Sequence, residues 1–101
     1  MRVELRAEAR EDLIAGALFY EQQRDGLGFY FTTCLFGDLE RLEIEGGIHE
    51  LVFGLHRKLS KRFPFAIYYL ITGPIVDVVA ILDCRRDPQL IEERLRGRQP
   101  G

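Results

Sequence analysis

A chain of 101 residues with 47% hydrophobic and 30% charged content has material for one compact core, burying roughly 65% of its unfolded surface, and none for a second. A formal net charge of −2 argues against nonspecific coating of nucleic acid, and no apolar run approaches the roughly 20 residues of a membrane helix. Met1-Arg2-Val3-Glu4-Leu5-Arg6 lacks the apolar stretch of a signal peptide, and Cys34 and Cys84 lack CxxC spacing. The sequence therefore predicts a single cytoplasmic domain over 1–101 with reduced thiols.

Val3 and Leu5 alternate with Arg2, Glu4 and Arg6, the period of two of a short strand, at an edge or paired early. From about Ala7 to Gln23, Ala9, Leu13, Ala17 and Tyr20 recur at helical spacing with Ile14 and Leu18 beside them. Glu8, Glu11 and Asp12 suit the positive N-terminal end of that helix, although no Ser, Thr or Asn caps it. Arg24-Asp25-Gly26 breaks the pattern. A second helix follows from about Leu27 to Leu42, with Phe31, Leu35, Leu39 and Leu42 on one stripe and Gly37 costing about 1 kcal/mol relative to Ala. The short turn makes the two helices an antiparallel pair. Phe29, Tyr30, Phe31 and Phe36 are spread around the second helix, so not all can face a sheet, and the isolated chain is expected to expose an apolar patch.

Glu45-Gly46-Gly47-Ile48 is a loop. Beyond it Leu55, Arg57, Leu59, Lys61 and Phe63 alternate with His56, Lys58, Ser60 and Arg62, which predicts a strand over 55–63, and Pro64 marks a bend. Residues 65–71 and 75–82 form a β-hairpin about Gly73-Pro74, and their near-continuous apolarity makes them central strands. Gln89 to Arg96 forms a short helix after Pro88, and 97–101 frays. The expected fold class is α+β, in order β-α-α-β-β-β: an antiparallel sheet with a helical hairpin packed on one face and a short C-terminal helix.

Charge is divided unevenly. Residues 1–50 hold five Lys and Arg against eleven Asp and Glu, a net of −6, while 51–101 hold nine against five, a net of +4. An acidic helical side and a basic sheet side would follow, the latter fitting RNA, DNA or an acidic protein; mutual attraction of the two halves fits equally. The basic candidates are Arg57, Lys58, Lys61 and Arg62 on one strand and Arg85 and Arg86 after the last. A meander would bring both groups to the sheet's open face. Lys58 and Arg62 also fit an ordinary solubilising surface, and Arg86 a salt bridge to Asp87 or an acidic helix residue. Tyr68 and Tyr69, as consecutive strand residues, face opposite sides, and each fits core packing. His49 and His56, seven apart, match no metal signature, and the glycines are turn glycines, so neither metal nor cofactor is expected.

Read as motifs, Lys61-Arg62-Phe63-Pro64-Phe65-Ala66-Ile67-Tyr68-Tyr69, the apolar strand after Gly73-Pro74, and Arg85-Arg86-Asp87-Pro88 resemble the RelE/ParE toxin superfamily of type II toxin–antitoxin modules, also known as plasmid stabilisation proteins. Ala9-x-x-Asp12-Leu13, Tyr20-Glu21-Gln22-Gln23 and Gly26-Leu27-Gly28 extend the resemblance over nearly the whole chain. It implies the same β-α-α-β-β-β arrangement and a growth-inhibiting toxin neutralised by a cognate antitoxin, with operator DNA reached only through the antitoxin. A homodimer or heterotetramer is left open. Two mechanisms compete within it: a ParE-like protein that inhibits DNA gyrase by binding, and a RelE-like ribosome-dependent mRNA endoribonuclease. Target-binding candidates are Arg57, Lys61, Arg85 and Arg86, and catalytic candidates, if it is an enzyme, are Arg57, Lys61, Tyr69 and Arg85. Asp83 stands where many relatives carry His, and a carboxylate there repels phosphate unless paired, which favours the binder. A non-toxic binding domain on the same scaffold is the reading from another class.

Overall fold

A computed structural model describes residues 1–99 in the order β1 (Arg2–Leu5), α1 (Ala7–Gln23), α2 (Leu27–Glu45), β2 (Leu51–Val52), β3 (Leu55–Leu59), β4 (Phe65–Thr72), β5 (Ile75–Asp83) and α3 (Pro88–Arg98). The five strands form one sheet in spatial order β1-β5-β4-β3-β2. All neighbours are antiparallel except β1, which lies parallel to β5 with Val3 opposite Val76 and Leu5 opposite Val78. The sheet is therefore mixed rather than wholly antiparallel. Strand β2 adds a reversal that the sequence pattern could not reveal, because two residues show no alternation.

Strands β4 and β5 are apolar on both faces, and both are covered. Phe65, Ile67, Tyr69, Val76, Val78 and Ile81 meet the helical hairpin through Ala9, Leu13, Tyr20, Phe31, Leu35, Leu39 and Leu42. On the reverse face Ala66, Tyr68, Val79, Ala80 and Leu82 meet Leu55 of β3 and Ile91 and Leu95 of α3. A bulge makes this possible: Tyr68 pairs with Ala80 and Tyr69 with Val78, so Val79 is the extra residue and joins Ala80 on the α3 side. Each fully buried large side chain here is worth about 1.5–3 kcal/mol. Gly16 sets the closeness of the hairpin, since a Cβ there would lie 2.7 Å from Phe31 Cζ. As anticipated, Phe31 is buried while Phe29, Tyr30 and Phe36 stay exposed.

Strand β3 ends at Leu59, not at residue 63. The Ser60 N–H bonds Phe65 O at 2.9 Å, its hydroxyl donates to Asp38 at 2.7 Å, and the Phe65 N–H turns back to Phe63 O at 2.8 Å. Pro64 has no N–H to continue the ladder, and Phe63 leaves the sheet to pack at a tilt against Tyr20 and edge-to-face against Phe31, ring centroids 4.8 and 5.0 Å away. Lys61 and Arg62 consequently sit in a connection, off the strand.

Helix α3 begins at Pro88, where the Asp87 side chain accepts the Gln89 N–H at 2.9 Å, and it runs through Gly97 and Arg98, which were expected to fray. Pro100 and Gly101 lie outside the described residues. Arg98 is held because its Nη2 donates to Asp12 Oδ1 at 2.9 Å and its Nη1 to Asp12 Oδ2. Asp12 Oδ2 also accepts the Ile81 N–H at 3.0 Å, and Arg6 donates to Arg98 O. Asp12 thus serves as a half-buried link between α1, β5 and α3, beyond the helix-end role its position suggested. Among the described residues no helix is long and apolar enough to cross a membrane.

Breaking a largely buried pair strands the remaining charge. Asp12→Ala should cost about 3–5 kcal/mol in urea unfolding, with Asp12→Asn losing less because it keeps an acceptor. An Asp12→Ala loss below about 1 kcal/mol would show that the link contributes little to the fold.

Candidate functional site

The basic candidates divide between two places. At one end of the sheet, where Phe65 pairs with Asp83, the Cys84 N–H bonds Pro64 O at 2.8 Å and draws the 60–64 connection against the turn after β5. Lys61, Arg62, Arg85 and Arg86 therefore share one end, and Arg94 of α3 lines the same shallow grooves as Arg86. Among the described residues Lys61, Arg62, Arg86 and Arg94 have no carboxylate within 4.0 Å. The salt bridge considered for Arg86 does not form, and Asp87 caps α3 instead. Beneath this end lies an aromatic cluster of Tyr20, Tyr30, Phe31, Phe63 and Phe65.

Asp83 and Arg85 form a closed ring. Arg85 Nε donates to Oδ1 at 3.0 Å and Nη2 to Oδ2 at 2.8 Å, and the Arg85 backbone N–H adds a bond at 2.9 Å. These contacts with Arg85 hold the Asp83 carboxyl below its usual range. The aspartate is thus paired, and the positive charge left over at this end belongs to Arg86, Lys61, Arg62 and Arg94. Burial pushes the Tyr20 phenol up, and the adjacent Arg85 works against that shift.

Arg57 lies elsewhere. It pairs across the ladder with Tyr68 on the α3 face, its Nη2 donates to Glu50 at 3.2 Å, and its buried Nε has no partner among the described residues. Tyr68 is 2% exposed and its phenol is pushed up by burial, as is the neighbouring Cys84 thiol. Lys58, expected on a solubilising surface, is buried on the hairpin face with Nζ 2.6 Å from Glu45 Oε1. One strand alternation sends Arg57 and Lys58 to opposite faces, while Lys61 has left the strand.

Tyr69 is fully buried under the end of α2, the centre of a network that the sequence reading missed. Its oxygen accepts the Gly47 N–H at 3.1 Å and lies 2.5 Å from His49 Nδ1, and the His56 ring stacks on it at 5.0 Å. His56 Nδ1 is 2.6 Å from His49 O. Burial, with Lys58 nearby, lowers the His49 pKa against the opposing pull of Glu45. Spacing alone recorded only that the histidines fit no metal motif; the loop that folds His49 back onto β4 is a tertiary feature. The four catalytic candidates are not brought together: Arg57 lies on the α3 face and Tyr69 in the core, while Lys61 and Arg85 share the basic end, with Arg85 bound to Asp83. No group of three or more His, Cys, Asp or Glu among the described residues is placed to hold a metal.

No protein-family model matches the chain, and no curated protein matches it. Among solved structures the fold is that of a chain from the chromosomal ParDE TA system of P. aeruginosa, with a TM-score of 0.67 at 18% identity over 80% of this chain and 92% of that one. The fold implied by the RelE/ParE resemblance is thus the fold observed.

The His49 setting gives a pH dependence with a defined sign. A histidine whose folded pKa lies below its ordinary 6.5 binds protons more readily when unfolded, so its contribution is complete above that value and is lost as pH falls through it. Glu45 and Asp83, whose pKa values are lowered by Lys58 and Arg85, act only at more acid pH, below their ordinary 4.5 and 3.8. Unfolding free energy should therefore decline as pH falls from the ordinary 6.5 toward the lowered folded value, and His49→Gln should flatten that decline. An equal slope in wild type and variant would contradict the assignment.

Proposed function

We propose that this chain is a ParE-like toxin of a type II toxin–antitoxin module, acting by binding DNA gyrase or another growth-essential target and neutralised by a cognate antitoxin in the cytoplasm. The observation that carries the reading is the shared fold with a ParDE chain. The disposition of the polar groups supports a binder over a nuclease. Both strand tyrosines lie inside the core, His49 is engaged by Tyr69, and Asp83 occupies the ring with Arg85. A ribonuclease needs a general acid and base beside its charge clamp, whereas a binder needs only a complementary surface. We assign target contact to the basic end, where Lys61, Arg62 and Arg86 carry the unpaired charge and Arg85 is held by Asp83, with Arg57 on a separate, partly paired surface. Any operator DNA contact would come through the antitoxin.

Induced expression in a bacterium should reduce colony counts, and co-expression of the protein encoded in the adjacent short reading frame should restore them. Toxicity should be lost on replacing Arg85 and Arg86 together by Ala, with the folding of the variant verified by circular dichroism. It should survive Tyr68→Phe and Tyr69→Phe, each variant with its folding verified. Normal growth with verified accumulation of folded protein would remove the toxin reading and leave a non-toxic binding domain. Toxicity abolished by Tyr68→Phe, with stability intact, would favour the endoribonuclease.

A further inference from the structure

Among the described residues β1 forms one edge of the sheet and pairs with β5 alone. The Arg2 and Arg6 amides donate to Pro74 O and Val78 O, both at 3.0 Å. By strand alternation, the N–H and C=O groups of Val3 and Leu5 point away from β5. Along this edge runs an open groove of about 550 Å³, with Val3, Leu5, Leu13 and the exposed Phe36 as its apolar lining and Glu4 and Arg10 bordering it. On the other face of the strand Arg2 and Glu4 project into solvent, 2.9 Å apart, with side chains 70% and 52% exposed.

Charges on an edge strand ordinarily keep other strands away. Here they are arranged to match themselves. We propose that β1 is a self-complementary edge through which two copies of this chain pair as antiparallel strands about a two-fold axis at Val3. This inference is independent of the functional reading above.

The register follows from which groups face outward. Antiparallel hydrogen bonding must bring odd-numbered residues opposite odd-numbered ones, which leaves four centres within the strand, and centring on Arg2 sets Arg2 against Arg2, a like-charge contact. Centring on Glu4 sets Glu4 against Glu4 and Arg2 against Arg6, a repulsive arrangement. Centring on Leu5 needs Arg6, which is held by Asp77 at 3.1 and 2.8 Å, and runs into the start of α1 at Ala7. Centring on Val3 places each Arg2 opposite the partner's Glu4, so the existing pairs become an alternating quartet. The two Val3 amides exchange hydrogen bonds, and their side chains meet on the groove side, where an isologous contact must be self-complementary.

A contact built on so short a strand is smaller than the roughly 1,600 Å² of a standard interface, so association on the order of 100 μM is expected. Sedimentation equilibrium of the purified chain should show a weight-average mass rising from 11.7 kDa toward twice that as concentration passes through this range. Arg2→Glu and Glu4→Arg, each alone, should hold the mass at the monomer value across the same range. The double exchange Arg2→Glu with Glu4→Arg, which recreates the complementary pattern with signs reversed, should restore association. Val3→Pro removes an outward N–H while leaving the ladder to β5 intact, and should abolish it. Three results would overturn the proposal: a monomer at every concentration, as expected if this edge serves only a strand of another protein; association that persists in both single reversals, as expected if exposed aromatics such as Phe29 drive it; or failure of the double exchange to restore it.

Discussion

Two adjacent strands that are apolar on both faces impose the architecture. Neither face of β4 and β5 can meet water without losing several large side chains' worth of burial, so the chain must supply a cover for each. The helical hairpin is one cover and α3 is the other. The link from Asp12 to Arg98 and to the Ile81 amide fastens the two covers across the sheet, joining residues 86 apart in sequence. Such a pair stabilises the fold only while both partners are present, which makes it a device for specifying where α3 docks.

Double coverage also governs which residues remain available for function. Tyr68 and Tyr69 each fall under a cover, so neither presents a phenol to an approaching substrate. Charges of the two halves are drawn into internal pairs as well: Lys58 with Glu45, Arg98 with Asp12, and Arg57 with Glu50. The opposition between an acidic first half and a basic second half is thus in part consumed within the molecule. Four cations without a carboxylate partner among the described residues, Lys61, Arg62, Arg86 and Arg94, lie at the end of the sheet where β3 passes to β4 and β5 ends, next to an aromatic cluster, while Arg10 lies by the β1 edge.

Much of this was legible in the sequence. Period-two and helical spacing place β1, both hairpin helices and the central strands within a few residues of where they lie, and continuous apolarity marks β4 and β5 as central. The alternation across 55–63 misled at its end, because Phe63 keeps the strand period while its ring is claimed by Tyr20 and Phe31, an attraction from 32 or more positions away. The two-residue β2 carries no period at all, and its pairing rests on Leu51 and Val52 opposite His56 and Leu55. For the site, the pairing of Asp83 could be anticipated from the Arg two positions on. The engagement of Lys58 by Glu45 and of Tyr69 by His49 could not, since both depend on how the 46–54 loop folds back under the end of α2.

The central claim is that the molecule acts by binding through its basic end. Its most direct test uses purified protein in parallel assays of gyrase supercoiling and cleavage-complex formation and of ribosome-dependent mRNA cleavage, with the Arg85→Ala/Arg86→Ala variant beside wild type. The account predicts gyrase inhibition by wild type, its loss in the variant, and intact mRNA in both. Codon-specific mRNA cleavage with gyrase unaffected would contradict it.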